Sequence, residues 1–464
     1  VTLEVSTLPA KMRLARAVGA LARVSGRGGG TSLPGKVLLR LDPLAITELS
    51  SGLREGSAVI SATNGKTTTA AMCASILSDA GHTLVHNRAG ANMAGGIAST
   101  LLAAAFSADS EAADLGLFEV DELWLQTVTD QLRPRAVLLS NLFRDQLDRY
   151  GELETIAERW SQVAGALPRT SSLVLNADDP LIADLGRGRD GVSYFGVEDD
   201  GLALTEMQHA SDSKHCRRCG SPYHYDAVYL GHLGHYHCAN CGQTRPAPAV
   251  RAEQIRLRGT DSATFMLVTP QGARSVTVNL PGLYNVYNAL AAAALCLTLG
   301  AGLEDIVSGL RSTVAPFGRS ETVTVGSVEM QMLLIKNPAG TNEVLRTLVL
   351  EREPVDLLLI LNDNIADGRD VSWVWDADFE MIASQTCAIV CSGTRAAEMA
   401  VRLKYAGAPE DVIRVVPAVA EAIDAAVADR DGGRLYALPT YTALLELREE
   451  LGRRGYVDPY WERR

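Results

Sequence analysis

The sequence predicts an α/β protein built from two parallel-sheet domains with a small metal-ribbon insertion, and three observations predict it. From residue 57 to about 200, the apolar runs "AVISA", "LGLFEV", "RAVLLS" and "SLVLNA" alternate with longer amphipathic stretches, as strands do when helices cover both faces of a sheet. A second alternation begins near residue 320, with "VDLLLIL", "CAIVC", "VIRVV" and "RLYAL" as strands. Between the two, Cys216, Cys219, Cys238 and Cys241 follow C-x2-C-x18-C-x2-C spacing. A chain of 464 residues exceeds one compact core, and about three folding units are expected. The boundaries read as a basic segment at 1–54, a central domain at 55–317 carrying the insertion at 207–246, and a C-terminal domain at 318–464. Pro316, Phe317 and Gly318 suit a hinge.

The first 40 residues hold Lys11, Arg13, Arg16, Arg23, Arg27, Lys36 and Arg40 against Glu4 alone, with Leu14, Val18 and Leu21 at helical spacing. Such a helix suits anionic headgroups or a pyrophosphate, or packs its apolar stripe on the body with a solvated basic face. Next comes "SATNGKTTTAAM" at 61–72, behind the strand-like "GSAVISA". It lacks the full G-x-x-x-x-G-K-[ST] spelling. It keeps the order a phosphate loop needs, with Gly65 where backbone approaches phosphate, Lys66 for the charge and the Thr67 hydroxyl for Mg²⁺. In a parallel sheet that loop lies at the C-terminal edge of its strand. "LFEVDE" brings Glu119, Asp121 and Glu122 to the same edge as natural Mg²⁺ ligands. "SNLFRDQLDRYGELE" brings Asn141, Asp145 and Asp148. In "GLYNVYNALAAA", Asn285 and Asn288 open a helix, where amides read an adenine edge or cap the helix.

Four thiolates satisfy tetrahedral Zn²⁺ and leave no open position, so the ribbon reads as structural. Six of the eight histidines lie between 209 and 237, and His215 or His237 could replace a cysteine. Disulfides are the rival reading. No secretory signal and no run near the ~18 apolar residues of a spanning helix is visible, so a reducing cytoplasm is expected. The net charge of −12 argues against nucleic-acid binding, which needs a basic face.

"TNGKTTT", "FEVDE", "SNLFRDQLDRYGELE", "LNADDP", "YNVYNALAA" and "GRSE" stand in the order found in the Mur ligases and folylpolyglutamate synthases, and the chain resembles them from about residue 55 to 440. The resemblance implies a Mur ligase-like P-loop domain, a Rossmann-like C-terminal domain, and use of ATP to convert a carboxylate to an acyl phosphate that an amine attacks. It implies that Thr63, Asn64, Gly65, Lys66, Thr67 and Thr68 hold the phosphates, with Thr67 and Glu119 on Mg²⁺. Asn285 would lie at adenine, Arg319 would reach the nucleotide from the hinge, and Asp363 would face it from the C-terminal domain. There are departures. Gln146 replaces the histidine of the usual Asp-His-Leu-Asp, and Trp160 occupies the place where several relatives have a carbamylated lysine. The early phosphate loop leaves no room for a uridine-nucleotide domain, so the substrate is expected not to be a usual UDP-linked precursor.

With "KNPAGTNEVL", "NDNIADGRDVSWVWDADFE" and the basic "GRGGGTSLPGK", the chain resembles the amidating branch of this family, the synthetase subunits of lipid II isoglutaminyl synthases. That implies amidation of the D-glutamate α-carboxylate of lipid II at the inner face of the cytoplasmic membrane, with ammonia from a separate GatD-like glutaminase. The other cysteines agree, since Cys73, Cys296, Cys387 and Cys391 form no nucleophile elbow with a histidine. The resemblance also implies an aspartate lent to the partner's catalytic histidine. Ser-Trp-x-Trp-Asp places it at Asp376, with Asp370 second. Two rivals are a folylpolyglutamate-type ligase and a P-loop nucleic-acid module that reads through the ribbon.

Overall fold

The computed structural model describes residues 8–24, 32–87, 91–106, 113–145, 153–209, 211–314, 319–351, 353–428 and 430–458. The expected hinge at 316–318, the stretch 146–148 and most of the basic glycine-rich motif lie outside them.

The four apolar runs of the first half become β1 (Ser57–Ser61), β3 (Leu115–Glu119), β4 (Ala136–Leu139) and β5 (Ser172–Asn176), joined by β2 (Leu84–His86) and β6 (Val192–Val197). An inserted hairpin follows, β7 (His224–Leu230) and β8 (Leu233–His237), then β9 (Val250–Arg258), β10 (Ser262–Thr269) and β11 (Gly272–Val278). Apart from the hairpin these form one sheet in the order β11-β10-β9-β6-β5-β4-β1-β3-β2. It is parallel from β2 to β9 and antiparallel at β10 and β11. Every residue of β1 is buried, because helices cover both faces. On one side lie α4 (Lys66–Asp79) and the alanine-rich helix Leu283–Leu299, around Ile60, Met72, Leu117, Leu138 and Leu290. Cys73 and Cys296 are packing residues there. The other side closes around Phe118, Val137 and Trp160.

β1 sits between β3 and β4, so the loops leaving these three strands surround one crevice at their carboxyl ends. The order of strands thus decides which loops can share a site. β9 to β11 were not foreseen. Along β9 and β10 buried residues largely alternate with more exposed ones, and the first four residues of β11 are exposed, so the apolar signal is weaker than that of a doubly covered strand.

The second sheet contains β12 (Arg319–Val325), β13 (Val328–Leu333), β14 (Val355–Ile360), β15 (Thr386–Ser392), β16 (Ile413–Val415) and β17 (Arg434–Pro439). Its order is β12-β13-β17-β14-β15-β16, with an antiparallel first pair and parallel pairing elsewhere. Apolar clusters on both faces make it a doubly wound α/β domain, as expected. The N-terminal segment is helical, with α1 (Leu8–Val24), α2 (Leu33–Leu41) and α3 (Ala45–Ser50). Its buried stripe differs from the expected one. Ala15 packs with Leu38, Ala45 and Leu102 of α5 (Ala94–Ala104), whereas Leu14 and Leu21 are exposed. The small Ala15 admits close helix contact, which a leucine face would hold apart. No helix among the described residues is long and apolar enough to cross a membrane.

Candidate active site

The loop after β1 is held from beneath by amides. Gly65, at the N-cap of α4, has φ +86°, and a Cβ there would meet Asn288 Oδ1 at 2.0 Å. Only glycine fits. Asn288 accepts from the Thr69 hydroxyl at 3.3 Å and donates to Asn285 Oδ1 at 3.0 Å, while Asn285 donates to the Pro281 carbonyl at 2.7 Å. Both asparagines of the "YNVYN" helix are therefore hydrogen-bonded to protein, as a link between that helix and the loop. From the next strand, Asn141 accepts from the Asn64 N–H at 2.9 Å and donates to the Asn64 carbonyl at 3.0 Å. The Thr63 hydroxyl accepts from the Phe143 N–H at 3.1 Å. Thr67 and Thr68 lie in the first turn of α4, where free backbone N–H groups and the helix dipole favour an anion.

The register Ile60↔Glu119 brings the end of β3 beside the loop. Glu119, Asp121 and Glu122 are all buried. Lys66 donates to Glu122 at 2.9 Å and to the Ala62 carbonyl. Burial alone would lower the Lys66 pKa. The Glu122, Glu119 and Asp121 carboxylates outweigh it and hold the ammonium above its usual value. Burial pushes Glu122 up, against the attraction of Lys66 and Lys336. Glu119, the expected Mg²⁺ ligand, is fixed through its backbone N–H by Asn87 at 2.9 Å and receives Asn92 Nδ2 at 3.4 Å. The fully buried Trp160 donates its indole N–H to the Glu122 carbonyl at 3.3 Å. A neutral aromatic ring thus braces the acidic turn at this position.

The C-terminal domain covers the loop. Lys336 reaches the Thr63 carbonyl at 3.0 Å and the Asp145 carboxylate. Asn337 and Asn64 exchange side-chain amide bonds at 3.2 and 3.0 Å, while Asn337 also caps the helix Pro338–Val349 by accepting from Gly340. The resemblance carried by "KNPAGTNEVL" implies no site role for Lys336 or Asn337. The Asn-Pro helix start was the available signal. Arg144 was missed too. It pairs with Asp212 of the insertion and, at 3.3 Å, with Asp376. Nearby, Asp378 accepts from Asn342 at 2.6 Å and meets His209 at 2.7 Å. Asp376 is half exposed, next to Trp375 and Tyr405, two exposed rings stacked edge to face. Asp370 accepts from the Ser372 N–H at 2.8 Å. Asp363 follows β14 but engages its own neighbours, the Thr394 hydroxyl and Arg395 Nε, both at 2.8 Å. The Thr394 hydroxyl first, then Arg395, holds its carboxyl below the usual range. Arg319 opens β12.

In the insertion, the ligand atoms of Cys216, Cys219, Cys238 and Cys241 all lie within 4.8 Å of one another. Two Sγ–Sγ distances are 3.5 Å, close to the edge of about 3.8 Å that a Zn–S length of ~2.3 Å gives a tetrahedron. All four cysteines are free, with no disulfide between them. They come from two matching turns. Gly220 and Gly242 close them at φ +75° and +72°, donating to the Cys216 and Cys238 carbonyls at 2.7 and 3.0 Å. The Ser221 backbone first draws the Cys219 thiol down to about 6. Neither His215 nor His237 belongs to the cluster. The insertion is anchored by Arg245, whose guanidinium pairs at 2.6 Å with both the fully buried Asp178 and Glu198.

Comparison with known proteins agrees with this architecture. Residues 60–242 match the Mur ligase middle domain and residues 334–444 match the MurT ligase C-terminal family. The lipid II isoglutaminyl synthase (glutamine-hydrolyzing) subunit MurT of Streptococcus pneumoniae is 33% identical over 435 residues, covering 94% of this chain and 95% of that protein. The Staphylococcus aureus (strain N315) subunit of the same name is 32% identical over 447 residues, covering 95% and 97%. Among solved structures, a pseudomurein peptide ligase type C from Methanothermus fervidus superimposes with a TM-score of 0.67 at 23% identity, covering 86% of this chain and 79% of that one. MurF from Acinetobacter baumannii gives 0.64 at 18%, covering 90% and 80%. These two likenesses carry the fold alone. Identity along nearly the whole length of both MurT relatives carries more: this chain belongs to the MurT family, the ATP-dependent, Mur ligase-type subunits of lipid II isoglutaminyl synthase.

Proposed function

We propose that the chain uses ATP to amidate the D-glutamate α-carboxylate of the lipid II stem peptide, giving D-isoglutamine for peptidoglycan synthesis, with ammonia delivered by a GatD-type glutaminase. The observation that carries this reading is a loop of phosphate-binding type that both domains reach, each with a lysine. Lys66 and the first turn of α4 lie at the loop in the central domain, where they would meet a nucleotide's phosphates, and Lys336 and Asn337 reach the same loop from the C-terminal domain. A carboxylate oxygen of D-glutamate attacks the γ-phosphorus while the bond to the bridging oxygen breaks, releasing ADP. Ammonia then attacks the acyl carbon, the C–O bond breaks, and phosphate leaves with a proton from the attacking nitrogen. Lys66 offsets charge gathering on the transferred oxygens. The Thr67 hydroxyl and Glu119 would hold Mg²⁺ through the hard oxygen donors it prefers, and the ion would neutralise phosphate charge.

The four thiols of the insertion suit a structural Zn²⁺. The half-exposed Asp376 beside exposed Trp375 suits an edge that lends a carboxylate to the partner's histidine, after exchange of its Arg144 pair. The reaction belongs at the inner face of the cytoplasmic membrane, where lipid II presents its peptide. The test is to combine the chain, the candidate glutaminase, lipid II, ATP and glutamine, and to measure by mass spectrometry the conversion of one carboxylate to an amide with ADP release. Unchanged lipid II would overturn the proposal, and glutamate-dependent ADP release with a folate acceptor would establish the folylpolyglutamate reading.

A further inference from the structure

The insertion carries a second set of metal-ligating side chains that the four-cysteine site does not use. His224 and His237 lie directly opposite each other across the β7–β8 pair, the separation at which side chains of neighbouring strands meet. Their rings are 4.7 Å apart. Between Tyr225 and Ala227 the register shifts, leaving Asp226 as the extra residue of a β-bulge. Bulges re-aim side chains, and here Asp226 is turned to the histidine face. Its two carboxylate oxygens lie 3.4 Å from His224 Nδ1 and 3.1 Å from His237 Nδ1. The opposite face of the hairpin holds Tyr223, Tyr225 and Tyr236 against Cys216 and Cys238. Alternation therefore sends the tyrosines inward and the two imidazoles outward.

We propose that His224, Asp226 and His237 form a second, solvent-open site for a divalent transition-metal ion of the Zn²⁺ and Ni²⁺ class, distinct from the cysteine cluster. One ligand atom from each of the three lies within 4.8 Å of the others. A tetrahedral ion with Zn–N bonds of ~2.0–2.1 Å wants edges of about 3.3 Å. All three side chains are at least partly exposed, so they are free to close that gap without disturbing packing. Two imidazoles and one carboxylate suit these borderline ions better than Mg²⁺ or Ca²⁺, which prefer all-oxygen sets. Three protein ligands leave positions for water, unlike the closed thiolate site. The ion would fasten the two strands at the end of the hairpin, next to Cys238.

The test is calorimetric titration of the full chain, purified with its tightly held zinc, using Ni²⁺ and separately Zn²⁺. One further equivalent is expected. His224→Gln and His237→Gln should each weaken it by about tenfold or more, at least the loss that removing an outer-shell partner causes. Circular dichroism and zinc content of both variants should match wild type, because the replaced side chains support no core. Absence of the further equivalent, or its survival in the double variant, would overturn the proposal. A chain that lacks tight zinc yet still takes up the His-dependent equivalent would count against the cysteine site and uphold this one.

Discussion

Replacing Lys66 by alanine should separate the role of this lysine in catalysis from its role in folding. The Lys66–Glu122 contact of 2.9 Å joins two nearly inaccessible side chains, and at an effective dielectric constant of about 20 their attraction is about 6 kcal/mol. Burying the two ions costs several kcal/mol each, so the net value of the pair is far smaller, but removing one member strands the other and costs about 3–5 kcal/mol. Lys336 also attracts Glu122, which points to the lower end of that range. The stranded Glu122 relieves the cost by binding a proton. Its folded pKa, raised already by burial, rises further without Lys66. A carboxyl with a raised folded pKa contributes no penalty below its unfolded value, and the penalty grows as pH climbs from there through the folded value. Lys66→Ala should therefore be close to wild type in thermal stability at about pH 4–5 and clearly weaker at about pH 8.

Adding Glu122→Gln removes the stranded charge, so the double variant should regain most of the stability lost at pH 8 while remaining inactive in ADP release. Thermal denaturation at the two pH values and a coupled ADP assay measure both halves. A double variant as unstable as Lys66→Ala would refute the stranded-charge reasoning, and turnover by Lys66→Ala would refute the nucleotide assignment.

Glu119→Ala should depress turnover in a way that high Mg²⁺ partly restores, and a defect indifferent to Mg²⁺ would make Glu119 a structural strand end. Lys336→Met should raise KM for ATP more than it lowers the melting temperature, because the residue ties the C-terminal domain to the loop; an unchanged KM would limit it to domain packing. Cys216→Ser should release the tight zinc and lower thermal stability more than it slows the chemical step, and metal analysis finding no zinc in wild type purified under reducing conditions would remove the site. Asp376→Asn should cut glutamine-driven amidation while free ammonia still supports it, and equal loss with both nitrogen sources would place Asp376 in the synthetase site or in its Arg144 pair.

The doubly covered strands were legible because burial on both faces demands uninterrupted apolar runs, as in "AVISA" and "VDLLLIL". The strands β9 to β11 have one wet face, and residues such as Arg251, Glu253 and Arg256 mask their period. The cysteine cluster was legible because metal geometry fixes ligand spacing locally in the chain. Lys336 and Arg144 were not, since their partners are 191 and 232 residues away in sequence and only the docking of two domains brings them together. Glu122 was seen as one of three carboxylates. Which of the three takes Lys66 depends on the tight turn after β3, braced by a tryptophan from a helix more than thirty residues on.

The same docking links the insertion to the loop after β1, although the two are far apart in sequence. The turn between β7 and β8 brings the fully buried His232 against Phe143, ring centroids 4.8 Å apart, and within 3.4 Å of Asp179. Phe143 in turn shares hydrogen bonds with the Thr63 hydroxyl, and Asp179 accepts from the Leu142 N–H at 3.0 Å. The segment 142–145 is thus held on one side by the insertion and on the other by the phosphate loop, while Arg144 and Asp145 extend from it to Asp376 and Lys336 of the C-terminal domain. The ribbon thus bears on the loop after β1 only through the position of this backbone segment. Loosening the ribbon would be expected to weaken the support of residues 142–145 first, and with it their contacts to Thr63, Asp376 and Lys336.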